Sequence, residues 1–287
     1  MKRLIVNADD LGADEGRNDG VFEAIEAGVV TSVSILPNGP SLRNALSKLR
    51  SLPRGKISCG IHINLSEGTP LSSGLRLVTG PDGRFRGKQS ARHLLLRRGD
   101  PVLEREIRRE LEAQICALRD AGVAIDHLDG HQHVHVFPAV ARLAAEGAKN
   151  HEIPWIRIPE EPLNELRTTS VPTSEIEEGL WFSGHAEAAR PLVYAMGISA
   201  TDYFRGLYLK GNLPAERWEE YLETLPHGLT EFMVHPGRFG GGPGFGPFSS
   251  FSTPAREMEL AALTDGRFQL ALQKTGVELT PFPEAAI

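Results

Sequence analysis

The chain has 287 residues, 40% apolar and 24% charged, with a formal net charge of −6. That length fits one large α/β domain or two small ones, with a core large enough to need no staple. Scattered lysines and arginines, interrupted by acids, form no patch for nucleic acid, and no apolar run approaches the roughly 18 residues that would span a membrane.

In chain order, residues 4–6 read as a short buried strand that runs into Asn7-Ala8-Asp9-Asp10-Leu11-Gly12. A helix follows, with Val21, Ile25 and Val29 at helical spacing, closing near Gly28. Residues 31–36 are a second strand, rich in β-branched side chains and broken by Pro37-Asn38-Gly39-Pro40. A helix is expected over 41–49 and a third strand, carrying His62, over 57–65. Residues 66–100 are Gly-rich and irregular, an excursion over a site. Leu103, Ile107, Leu111, Ile115 and Leu118 share one face of a helix that Gly122 caps. A fourth strand over 125–129 runs into His131-Gln132-His133-Val134-His135, where an extended backbone would send the alternate histidines to one side. A helix over 138–147 and a fifth strand over 155–158 come next. Residues 160–200 are ambiguous apart from a helix near 186–196. A strand over 200–204, a helix over 215–225 and a late strand over 229–235 follow. A Gly/Phe-rich loop over 238–252, with Phe239, Phe245, Phe248 and Phe251, reads as a second excursion or lid. Two helices, 254–263 and 268–275, finish the pattern.

Strands alternating with helices imply a parallel sheet with helical crossovers, and at this length a closed or nearly closed barrel. Residues 1–287 then form a single domain. Cys59 and Cys116 match no disulfide framework and no metal motif. With no signal-peptide pattern before the first strand, the expected location is cytoplasmic.

Position carries the functional signal. Asp9 and Asp10 follow the first strand, His62 lies in the third, His131 follows the fourth and His235 ends the late one. Ligands and catalytic groups in parallel α/β folds gather at the carboxyl ends of strands. Singly, such residues have plain explanations: a strand-end aspartate caps a turn, and a histidine in an apolar strand is a satisfied core residue. Two adjacent aspartates repel unless something positive lies between them. One carboxylate with two imidazoles suits a divalent cation such as zinc, nickel or cobalt, whose bound water is acidified and which polarises a carbonyl. A second carboxylate to take the proton and a histidine to give one describe hydrolysis of an amide or ester.

Four segments occur in order: Val6-Asn7-Ala8-Asp9-Asp10-Leu11-Gly12, Gly60-Ile61-His62-Ile63-Asn64-Leu65, His127-Leu128-Asp129-Gly130-His131-Gln132-His133-Val134-His135, and Thr230-Glu231-Phe232-Met233-Val234-His235-Pro236-Gly237. Together with Arg256-Glu257-Met258-Glu259-Leu260, they resemble the YdjC/ChbG-like carbohydrate deacetylases over residues 3–277. The resemblance implies a distorted (β/α) TIM-like barrel and removal of an acetyl group from an N-acetylated sugar, a chitooligosaccharide or N-acetylglucosamine-type disaccharide. It implies one divalent ion, magnesium or zinc first and cobalt or nickel as alternatives, on Asp10, His62 and His131. Asp9 would be the general base and His235 the general acid.

His133 and His135 are candidate substrate contacts, as is Arg157 at the end of the fifth strand; Asp129 could orient an imidazole, and His127 reads as structural. Leu11 stands where many relatives carry Phe, which leaves the acylated sugar open. A homodimer is also left open. Two other readings share the residues: a non-haem metal oxygenase using the same Asp/His/His set, and a non-catalytic sugar-binding barrel, against which the acid/base pair argues.

Overall fold

Ten consecutive residues, Lys2–Leu11, form β1, and from Leu4 onward every one is buried. The strand therefore runs well past the apolar stretch that marks it in the sequence. Asn7, Asp9 and Asp10 look like a turn only because polar residues seldom continue a buried strand; here they line the floor of a site.

On either side of β1 lie β2 (Ser32–Ile35) and β7 (Gly228–Val234), with β8 (Val277–Leu279) pairing at its start. Beyond β2 come β3 (Ser58–Ile63), β4 (His127–Gly130) and β5 (Trp155–Ile156), and beyond β7 comes β6 (Tyr203–Arg205). Every named pair is parallel. Past β5 the ring continues through a parallel bridge between Trp155 and Ser199, held by Ile156 N–H to Ser199 O and Ser199 N–H to Pro154 O, both 2.9 Å. The same segment then enters β6. The order returns on itself, so the sheet is a distorted (β/α) barrel with one weakly paired seam. The computed structural model describes residues 1–53, 55–163, 171–209, 214–239, 248 and 254–283.

The crossovers are helical: α1 (Glu15–Glu26), α2 (Leu42–Arg50), α3 (Lys88–Leu95), α4 (Pro101–Asp120), α5 (Ala141–Asn150), α6 (Thr173–Ala195), α7 (Trp218–Glu223), α8 (Ala255–Thr264) and α9 (Gly266–Thr275). Asp100 caps α4 by accepting from Val102 N and Leu103 N, and Pro101 sits where a missing N–H costs nothing. The predicted stripe Leu103, Ile107, Leu111, Ile115 and Leu118 is buried against the sheet. No helix among the described residues is long and apolar enough to cross a membrane.

Three elements differ from the sequence expectation. The histidine run is not extended: β4 ends at Gly130, and residues 131–136 fold into 3-10 turns with Gln132 and His133 at positive φ. The 66–100 excursion contains α3 and is tied down by α4, whose Glu106 accepts from the amides of Arg76, Leu77 and Val78 and whose Glu110 accepts from those of Leu71 and Ser72. Helix α6 is 23 residues long, because its buried face uses Gly179, Ala186 and Ala189 beside Phe182 and Val193. Such small residues do not register as an apolar stripe. The aromatic loop expected over 238–252 lies largely outside the described residues, Phe245 and Phe251 included. Cys59 and Cys116 are each partly exposed free thiols.

Candidate active site

The pairing of β1 with β2 slips between Ala8 and Leu11, and Asp10 takes a left-handed φ of 66°. In a regular strand, neighbours point to opposite faces. This bulge lets Asp9 and Asp10 both border one cavity.

Asp10 uses its two oxygens differently. Oδ1 lies 2.8 Å from His131 Nδ1 and 3.4 Å from His62 Nε2, while Arg256 Nη2 holds Oδ2 at 2.6 Å. His62 sits opposite Asp129 in the β3–β4 register, and its Nδ1 is 2.7 Å from Asp129 Oδ1. One ligand atom from each of Asp10, His62 and His131 falls within 4.8 Å of the others. Ligands ~2.1 Å from one ion lie roughly 3 Å apart when adjacent, so this donor set fits a divalent cation. Electrostatics agree. Burial opposes charge on His62, but the Asp129 and Asp9 carboxylates, with hydrogen bonds donated by the ring to Asp10 and Asp129, override it and push His62 up to about 10. Burial would raise Asp10, yet His131, His62 and Arg256 hold it well below the usual carboxylate range. The carboxylates here call for positive charge.

Asp9 is gripped by Arg157, with Nη1 to Oδ2 and Nη2 to Oδ1 both 2.7 Å, and Asn7 Nδ2 donates to Oδ1 at 3.0 Å. The same guanidinium reaches Asp129 at 2.7 Å and Glu231 at 2.8 Å. Three buried carboxylates thus share one cation. Burial pushes Glu231 up to about 7 against the pull of Arg157. Burial is also the leading cause that raises Asp9. A second group that could hold a metal, Asp9 with His62 and Asp129, is the one Arg157 already neutralises.

The proposed substrate contacts separate. His133 borders the cavity, its ring edge-on to Phe182 at 4.7 Å. His135 turns inward, bonds Arg157 O through Nε2 at 3.0 Å and is pushed by burial down to about 3. Arg157 has no side-chain exposure. Neither His135 nor Arg157 has surface to offer a sugar; both hold the floor of the site. His127 is structural, stacked on Phe282 at 4.2 Å with Nε2 3.2 Å from Ser34 Oγ.

His235 directly follows β7, and its amide donates to Glu259 Oε2 at 3.1 Å. Burial first, and Arg256 second, hold its imidazole well below its ordinary range, hence neutral at rest. The cavity, about 170 Å³, is bordered by Asp9, Asp10, His62, Glu67, His131 and His235, with Lys88, Arg92, Glu178 and Phe182 among its other lining residues. Arg92 bonds Glu178 at 2.5 Å and lies over the Trp181 and Phe182 rings.

Sequence reasoning missed Glu67, Arg17, whose Nη1 lies 3.8 Å from Asp10 Oδ2, the role of Arg256 and the α3–α6 wall. Only Arg256 left a signal, inside a segment already noted, three residues before Glu259 on α8.

A parallel α/β barrel with a buried Asp/His/His cluster, a second aspartate and a histidine on one rim defines the class. The chain belongs to the YdjC-like protein family, whose model matches residues 3–274. It is 36% identical to the carbohydrate deacetylase of Mus musculus over 96% of this chain and 93% of that one, and 36% identical to that of Homo sapiens over 96% and 89%. A crystal structure from Enterococcus faecalis V583, of a protein thought to cleave cellobiose-phosphate, superposes with a TM-score of 0.72 at 21% identity, covering 98% of this chain and 97% of that one; it shows the shared fold.

Proposed function

We propose that this protein is a divalent-metal-dependent carbohydrate deacetylase that hydrolyses the acetamide of an N-acetylated sugar, of chitooligosaccharide or N-acetylglucosamine-disaccharide type. The observation that carries the proposal is the β1 bulge, which brings a base, Asp9, beside a cation-holding carboxylate, Asp10, in one cavity. The family relatives named carbohydrate deacetylase support the substrate class.

Asp10, His62 and His131 would hold the ion, which would acidify water and polarise the acetyl carbonyl. Asp9 takes a proton from the attacking water. Its raised basicity suits that task, and Arg157 fixes its plane; Oδ1 is taken by Arg157 and Asn7, while Oδ2 accepts from Arg157 and keeps a lone pair for the proton. The water oxygen bonds to the carbonyl carbon, the C–N bond breaks, and His235 protonates the departing nitrogen. The proton that His235 delivers is the one Asp9 took from water, passed through solvent to the ring that is neutral at rest, so both groups end the cycle as they began and acetate and a free amine result. Burial and Arg256 make His235 a weak base and therefore a strong acid once protonated. Phe182 and His133 line the cavity that would receive the sugar.

The parallel α/β barrel differs from the β-sandwich barrels usual for facial-triad oxygenases, so hydrolysis is preferred over oxygen chemistry. Residues 1–287 are taken as one domain and the location as cytoplasmic. The test is to screen acetylated mono- and disaccharides for acetate release across several divalent metals in air-free buffer. Acetate in equimolar yield with free amine is expected. Turnover that yields no acetate and appears only when air is readmitted, or sugar binding without turnover, would reject the proposal.

A further inference from the structure

Each of the three candidate ligands is gripped on its far side by a different residue. Arg256 holds Asp10 Oδ2 at 2.6 Å, Asp129 holds His62 Nδ1 at 2.7 Å, and Glu67 Oε2 lies 2.8 Å from His131 Nε2. The two carboxylates thus grip opposite nitrogens of the two rings. A carboxylate accepts, so a nitrogen it grips carries an N–H; His131 lies between two carboxylates, and once an ion takes the Asp10 side, the nitrogens held by Asp129 and Glu67 keep their N–H and the other nitrogen of each ring offers its lone pair. On His62 the lone pair falls on Nε2; on His131 it falls on Nδ1. Those are the atoms that face Asp10 Oδ1, at 3.4 and 2.8 Å.

We infer that Glu67 is a positioning residue for the cation site, and that the two histidines bind a divalent ion through different nitrogens, His62 through Nε2 and His131 through Nδ1. The inference rests on the metal-site reading above.

Two features support it. Glu67 comes from the start of the 66–87 excursion, and the main chain alone anchors it there. Its carbonyl accepts from Asn64 Nδ2 at 2.7 Å and Asn38 Nδ2 at 3.3 Å, and its amide donates to Asn64 Oδ1 at 3.2 Å. The side chain is left for His131. On that ring the Phe248 ring also packs edge-on at 5.2 Å, which opposes a flip that would exchange the two nitrogens.

Zinc is the probe. A zinc-loaded crystal structure of the full chain should show zinc on His62 Nε2 and His131 Nδ1. Calorimetric titration with zinc should show affinity lowered about 10- to 100-fold in Glu67→Ala. Glu67→Gln, which keeps an acceptor for the N–H, should lose less. Melting of the metal-free variants should match wild type, because the loop is anchored by its backbone. Zinc bound through Nε2 of both rings, or wild-type affinity in Glu67→Ala, would overturn the inference and leave the metal site standing. A wild-type protein that takes up no zinc and no other divalent ion would instead reject the metal-site reading itself, and the inference with it.

Discussion

At the scale of residues, one guanidinium organises both halves of the proposed chemistry. Arg157 orients the base Asp9 and also Asp129, which in turn orients His62. Arg157→Met should leave three buried carboxylates uncompensated and cost about 3–5 kcal/mol in thermal or urea unfolding. Arg157→Lys keeps the charge but loses the two-pronged grip, so kcat should fall while zinc affinity changes less. An equal loss of both would assign Arg157 a purely structural role. His235→Ala should slow acetamide hydrolysis far more than hydrolysis of an activated aryl acetate, whose leaving group needs no proton; equal losses would remove His235 as the acid.

The pH dependence of metal binding follows from His62. Its folded pKa is raised from the ordinary ~6.5 to about 10, so in the metal-free protein the protonated ring stabilises the fold below ~6.5, and that stabilisation is lost as pH rises through about 10. A cation must displace this proton. Apparent zinc affinity should therefore rise with pH between ~6.5 and 10, with proton release visible when calorimetry is repeated in buffers of different ionisation enthalpy. Affinity independent of pH would contradict the ligand assignment.

The residues legible in the sequence were those whose types are scarce at strand ends: Asp9, Asp10, His62, His131 and His235 all fall on one rim. Glu67 and Arg157 were not legible in their roles. A carboxylate in a Gly-rich loop resembles any solvated acid, and Asp9, which Arg157 grips with both Nη atoms, lies 148 residues from it.

Among elements, β1 and the turn after β4 do the positioning. Strand periodicity placed the sheet but ended β1 too early and sent the histidine run astray, because period-two reasoning assumes an unbroken ladder. A bulge at Asp10 and left-handed residues at Gln132 and His133 break it where the side chains are needed. That is why alternation placed His133 and His135 on one face while the fold sends only His133 to the cavity. Gly60 shows how tightly β3 and β4 meet: a Cβ there would fall within the His127 ring. Gly60→Ala should cost about 1–3 kcal/mol of stability by unfolding titration and disturb the neighbouring His62. A neutral effect would mean that His127 moves freely.

Across the whole molecule, the alternation of strand and helix was enough to give a parallel barrel, since each crossover returns the chain to the same rim. The seam at Trp155 and Ser199 was beyond reach, being one bridge between segments with little strand character. The barrel gathers groups from β1, β3, β4 and β7 to one end, and the extended strand β1 brings the base and a ligand together. A metal bound only by the folded form should raise stability by ~2.7 kcal/mol at a hundredfold excess over its Kd.

The most direct test of the central claim is acetate release from N,N′-diacetylchitobiose by chelator-stripped and metal-reloaded protein, beside the Asp9→Asn variant. The stripped protein should be inactive and the reloaded wild type should release acetate. Asp9→Asn should bind metal stoichiometrically yet lose turnover by at least two orders of magnitude, in line with removal of a general base. Full activity of Asp9→Asn, or acetate release unaffected by stripping, would contradict the account.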